Sequence, residues 1–185
     1  MARRRYRRFY RRRGTRWAPN IVKISSLNVA ASGEFYNSEI LAENPIQENT
    51  GVSQTFTVKN FELTFTIEPV GATGGHQYLE SMTAYIMYVP QGMGITSSYY
   101  AEHPEYIMAY KYLGSPQGAI AQPFDQDFTG VFESQQFQPT RIRTRLSRKL
   151  QTGDRIILYI QGSNQLNNTI DYNIDGIVRW WSKAN

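Results

Sequence analysis

Nine of the first sixteen residues are arginine: Arg3, Arg4, Arg5, Arg7, Arg8, Arg11, Arg12, Arg13 and Arg16. Tyr6, Phe9, Tyr10 and Trp17 are interleaved with them, and no acidic residue precedes Glu34. Unpaired guanidinium groups cannot enter an apolar interior. This segment therefore stays outside any core, and the fold has to be built from the rest of the chain. Its charge calls for a polyanion.

The remainder is different in kind. The chain's 20 Lys and Arg, less the nine of the segment, leave 11 against 15 Asp and Glu, a net charge of −4 on a chain that is +5 overall. The basic character belongs to one end, a signature of a nucleic-acid-binding tail on an independent body. Two parts are expected: an arm over 1–17 and a folded domain over 18–185. Apolar residues make up 41% of the 185, enough for one core. The chain has no cysteine, which excludes disulfides and thiolate metal sites. The longest apolar runs, such as Ala84 to Val89, are too short for a helical membrane span, so no membrane insertion is expected. No apolar stretch follows the basic start, so it does not read as a secretory signal. A short basic block of this type also serves as a nuclear import signal.

Period-two patterns run through the body. Ile21 to Ala31 reads as a first strand, and residues 33–51 as a loop with a short strand at Phe35 to Leu41. Val52 to Glu68 is the clearest strand. Phe56 and Val58 alternate with threonines, and then Phe61, Leu63, Phe65 and Ile67 carry the apolar phase. The flip places a bulge at Lys59-Asn60. Met82 to Val89 is apolar on both faces, as in a buried central strand, and Pro90-Gln91-Gly92 ends it. Residues 91–104 read as a loop, followed by one helical turn after Pro104 and a strand to Leu113. Residues 114–138 read as a long loop. Gln138 to Leu146 is expected as a strand with Arg141, Arg143 and Arg145 on one face and Ile142, Thr144 and Leu146 on the other. A turn at Thr152-Gly153-Asp154 leads to a buried strand, Arg155 to Gln161. The last strand runs from Ile170 to Trp181, with a bulge expected at Gly176. Short strands, Gly/Pro loops and no long helical pattern give an all-β chain, a sandwich or jelly roll.

Residues for catalysis are harder to find. His76 and His103 lie in expected loops, and no nucleophile–histidine–acid order, phosphate loop or metal-ligand spacing is present. Asp125 and Asp127, two apart, read as solvated loop acids. Asn167-Asn168-Thr169 matches a glycosylation sequon. No catalytic residue, metal or cofactor is expected, and the chain is not read as an enzyme.

The arm's chemistry is of another type. Arginine forms forked contacts with phosphate, and base–aromatic stacking is worth about 1–3 kcal/mol with little sequence preference. The expected nucleic-acid contacts are Arg3, Arg4, Arg5, Tyr6, Arg7, Arg8, Phe9, Tyr10, Arg11, Arg12, Arg13, Arg16 and Trp17. Trp17 is equally a candidate for packing on the body. Arg141, Arg143 and Arg145 form a second basic surface. They either bind nucleic acid or pair with acids of a neighbouring strand or subunit. Single strands, whose bases are free to stack, are the favoured partner.

The stretch Met1 to Arg13 resembles the Arg/Tyr-rich termini of the capsid proteins of circoviruses and related small circular single-stranded DNA viruses. Thr57 to Phe65 resembles an early jelly-roll strand of that family, and His103-Pro104-Glu105-Tyr106 the stretch after its fourth. Leu146 to Asp154 and Tyr172 to Trp181 resemble its last strands. The chain is shorter than the animal circovirus proteins. The resemblance implies a single eight-stranded jelly-roll sandwich with a basic N-terminal arm. It implies sixty copies in a T=1 icosahedral shell, a homo-oligomer packaging circular single-stranded DNA with the arms inside. It further implies that the arm is a nuclear localisation signal read by host nuclear import machinery, so that the protein is found in the virion and, during assembly, in the host nucleus. The alternatives are a non-assembling β-domain that binds nucleic acid, a coat protein of a small RNA virus or satellite, and a carbohydrate-type enzyme on a β sandwich.

Overall fold

The computed structural model describes residues 16–31, 33–45, 55–70, 81–114, 139–164 and 170–184. They form nine strands: β1 (Ala18–Ala31), β2 (Gly33–Glu43), β3 (Phe56–Val70), β4 (Ser81–Val89), β5 (Ile107–Gly114), β6 (Thr140–Arg143), β7 (Ser147–Leu150), β8 (Arg155–Asn164) and β9 (Ile170–Ala184). A short helix, α1 (Tyr99–Glu102), and a 3-10 turn (Pro104–Tyr106) precede β5. The loop expected around Gly71 to Gly75 lies outside the described residues. Of the loop expected over 114–138, Gly114 belongs to β5 and the rest lies outside the described residues, with Asp125 and Asp127; His76 and the sequon also lie outside them.

The first sheet has the order β1-β9-β3-β6, with β7 also paired to β3, and the second has the order β2-β8-β4-β5. All pairings are antiparallel. β6 and β7 lie end to end along one edge of β3, so together they fill one strand position. Each sheet then has four positions, and this order of strands is the eight-stranded jelly roll. The all-β reading holds.

Alternation decides which side of each strand is buried. From the first sheet, Val58, Phe61, Leu63, Phe65, Tyr172, Ile174, Val178 and Trp180 point into the core, where they meet Met82, Ala84, Ile86, Ile156, Leu158 and Ile160 of the second. Trp180 lies flat on Phe61, with ring centroids 5.7 Å apart. Each such side chain contributes about 1.5–3 kcal/mol by leaving water. Burial pushes the Tyr172 hydroxyl up to about 12.

The phase flip in β3 is present as expected. The β3–β9 register shifts between Lys59 and Glu62, and Asn60 adopts a positive φ of 55°, a left-handed conformation that asparagine tolerates better than most residues. The extra residue lets Val58 and Phe61 both face inward. It also leaves Lys59 and Glu62 both on the outer side.

Four details differ from the sequence reading. β2 is a full eleven-residue strand. It is an edge strand with few inward residues, Phe35, Leu41 and Ala42 among them, so its sequence looks polar. The strand expected over Gln138 to Leu146 stops at Arg143. The Thr144 amide donates to the Phe61 carbonyl at 2.9 Å, and the Thr144 hydroxyl accepts from the Leu146 amide at 3.1 Å. The chain jogs there, opposite the β3 bulge, and Leu146, expected on one face with Ile142 and Thr144, is 53% exposed while those two are buried. The bulge expected at Gly176 sits instead on its partner: the β1–β9 register shifts between Ile24 and Leu27. Gly176 is a point of close approach, since a Cβ there would lie 2.7 Å from the Cβ of Phe65. Finally, the loop over 91–104 contains α1 and covers the second sheet.

That cover forms a second apolar cluster. Tyr85, Met87, Val89, Ile157 and Tyr159 face away from the main core and are buried with Tyr99, beneath Met93, Ile95, Tyr100, Tyr106 and Ile107. The Tyr99 hydroxyl donates to the Tyr88 carbonyl at 3.1 Å, and burial pushes it up to about 12. Burial likewise raises Tyr88 and Tyr159. Asp154, buried after the turn at Gly153, pins the cover's start. Its carboxylate accepts from the Tyr88 hydroxyl at 2.7 Å and from the amides of Gln91 and Gln151 at 3.0 and 2.8 Å.

Candidate nucleic-acid interface

The expected contacts Arg3, Arg4, Arg5, Tyr6, Arg7, Arg8, Phe9, Tyr10, Arg11, Arg12 and Arg13 lie outside the described residues. The last two are described: Arg16 is exposed and Trp17 half-buried. The Lys59 ammonium lies over the Trp17 ring, 3.8 Å from its centroid. Such a cation–π contact at an exposed site is worth about 0.5–1 kcal/mol. Trp17 therefore packs on the body, at the outer side of the first sheet, and β1 begins with the next residue.

Arg141 and Arg143 also stand on that outer side. In the β3–β6 register they face Thr64 and Glu62. Glu62 Oε1 accepts from both guanidinium groups: from Arg143 Nη2 at 3.4 Å, and from Arg141 Nη2. For this pair the neighbouring-strand acid exists. One carboxylate between two guanidinium groups still leaves net positive charge, and exposed pairs of this kind are worth about 0–1 kcal/mol. Arg145 is exposed but lies beyond the end of β6, in the jog before β7. The three arginines do not form one row of a continuous strand, which corrects the sequence reading.

The register adds cations that sequence reasoning missed. Directly paired residues share a side of the sheet. On β9, Arg179 faces Glu62, Trp181 faces Lys59 and Lys183 faces Thr57. On β7, Lys149 faces Thr57. On β1, Ile21 faces Arg179 and Lys23 faces Ile177. The outer face of the first sheet thus carries a band of Lys and Arg crossing every strand position, with Glu62 inside it. Ile21, Ile177 and Trp181 are exposed among these cations at 65%, 46% and 36%. Asp171 and Asp175 stand on β9 toward the opposite end of the sheet from Trp17, opposite Val70 and Thr66. A signal was available: Asp175, Ile177, Arg179, Trp181 and Lys183 occupy the positions of β9 that alternate with its buried ones. Cations with an aromatic ring, Trp181, among them suit a sugar–phosphate backbone and its bases.

The other face has a different character. There the cover leaves Tyr36, Tyr110 and Tyr112 exposed. His103 stacks on Tyr106, centroids 5.3 Å apart, with Nδ1 3.5 Å from Glu105. Among the described residues no three metal-ligating side chains come together.

No family model and no curated protein matches the sequence. Solved structures that superpose in part include those of the infectious bursal disease virus Gx strain, the VP2 subviral particle of the same virus and its Gt strain. Their identities are 7%, 10% and 13%, over 89%, 88% and 88% of this chain, and the TM-scores are 0.30, 0.27 and 0.26. This chain spans 32% of the length of each. At these TM-scores the likeness carries no argument about fold or function. The fold rests on strand order.

Proposed function

We propose that the chain is a viral coat protein of the circovirus kind, which assembles in sixty copies into a closed shell and packages circular single-stranded DNA. Jelly rolls serve as viral coats, lectins and cupins, so fold alone does not choose among them. One observation carries the choice. The segment with nine arginines enters the sandwich at Trp17, which lies under Lys59, on the same outer face as Arg141, Arg143, Arg179 and Lys183. The point where the segment joins the body and the cationic face of the sheet therefore lie on one side. In a shell, that side faces the genome. The segment supplies affinity by displacing counterions from phosphate, and its aromatics stack on bases. The same basic block acts in nuclear import, which puts assembly in the nucleus of the host cell.

The test is expression of the full chain and of a variant lacking residues 2–16. Negative-stain microscopy of the full chain is expected to show uniform small shells whose nucleic acid is digested by DNase after extraction. The shortened chain is expected to fold and to carry little nucleic acid. A full chain that stays monomeric at every concentration and salt sinks the coat reading in favour of a non-assembling binding module. RNase-sensitive content replaces the DNA assignment by RNA.

A further inference from the structure

Glu62 is the acid in the middle of the cationic band, and its position is specific. Arg141 and Arg143 converge on one of its oxygens, Oε1, from β6. Arg179 faces it from β9 on the other side. The β3 bulge at Asn60 is what turns Glu62 outward into this position. A carboxylate and a phosphate engage the same guanidinium donors, and the Glu62 side chain, 29% exposed, can swing to water when displaced.

We propose that Glu62 is an internal competitor for the polyanion: its carboxylate occupies the seat between Arg141 and Arg143 that a phosphodiester takes when a strand is bound. This rests on reading the face as a nucleic-acid surface. In the free subunit the pairing keeps the arginines extended and lowers the face's affinity for stray anions. A strand already held by the Arg-rich segment reaches the face at high effective concentration and displaces the carboxylate. The segment captures, and the face engages second.

The test uses the full chain and a fluorescent single-stranded oligothymidylate, with dissociation constants measured over a range of salt. Glu62→Gln is expected to bind about two- to fivefold more tightly, the range that an exposed ion pair carries. Glu34→Gln makes the same change in net charge on exposed β2 and is expected to gain less. In an Arg141→Gln/Arg143→Gln background, the gain from Glu62→Gln is expected to fall to that of Glu34→Gln. Thermal melting of each variant shows that it is folded. Unchanged or weaker binding by Glu62→Gln overturns the competitor role, as does an equal gain from Glu34→Gln. If the Arg141→Gln/Arg143→Gln chain binds like the unmodified one, the nucleic-acid reading of the face fails, and the competitor role with it. If that chain binds more weakly while Glu62→Gln brings no gain, only the competitor role fails.

Discussion

Replacing Arg143 and Arg179 with Gln removes the two cations that flank Glu62 from opposite strands. Both are exposed, so the fold should barely notice. The lost Arg143–Glu62 pair is worth about 0–1 kcal/mol, which lowers the melting temperature of a chain this size by less than about 4 °C. Binding should notice more. Each phosphate contact to a single strand contributes about 0.7 to the slope of log affinity against log salt. Two lost contacts flatten that slope by about 1.4. Between about 50 and 200 mM salt, the unmodified chain should then lose about sevenfold more affinity than the variant. Fluorescence anisotropy with a labelled single strand, at four or five salt concentrations, measures both slopes. The Arg-rich segment is common to both proteins, so its contribution cancels in the difference. An unchanged slope refutes the assignment of these residues to nucleic acid. An unchanged slope with lost assembly moves them to contacts between subunits.

Three further outcomes test the scaffold. Asp154→Ala leaves the Tyr88 hydroxyl and the amides of Gln91 and Gln151 without an acceptor; urea denaturation should show a loss of about 3–5 kcal/mol, against about 1 for Tyr88→Phe, and equal losses would contradict the hub role. Asn60→Val puts a β-branched residue at a positive φ and should cost about 1–2 kcal/mol, whereas Asn60→Gly should be close to neutral; a harmless valine would mean that the bulge can relocate. Burial raises Tyr99 and Tyr172 to about 12 from the ordinary 10.0. The unfolded chain therefore releases these protons first as pH rises, so stability is complete below pH 10 and falls between 10 and 12. Circular dichroism should report alkaline unfolding in that window, and complete tyrosine ionisation with the fold intact would count against it.

Much of this architecture was legible in the sequence because alternation is local. The β3 phase flip could be read from Val58, Phe61, Leu63 and Phe65 alone, and the turn-then-strand after Pro104 from proline followed by β-branched and aromatic residues. What could not be read has its cause elsewhere in the chain. The break between β6 and β7 arises from a bulge on β3, so nothing within Thr140 to Leu150 announces it. β2 was legible only as a short strand at Phe35 to Leu41 within a loop, because an edge strand needs few apolar residues. The cationic face had the same problem. Arg141 and Arg143 were visible as a cluster, but Lys23, Lys59, Lys149, Arg179 and Lys183 are scattered in sequence and become neighbours only once the register is known. Glu62, the acid among them, had no local signal at all.

The segment that covers the second sheet has a practical consequence. Gly94 lies on its exposed side, and a Cβ placed there meets nothing within 4 Å. Its backbone lacks the positive φ that makes Gly92 intolerant of a side chain. A dye or short peptide joined at Gly94 would stand on the opposite side of the sandwich from Trp17 and Arg179. In a closed particle, such a tag reports orientation directly: reachable by a protease or antibody if the cationic face points inward, silent if it points out.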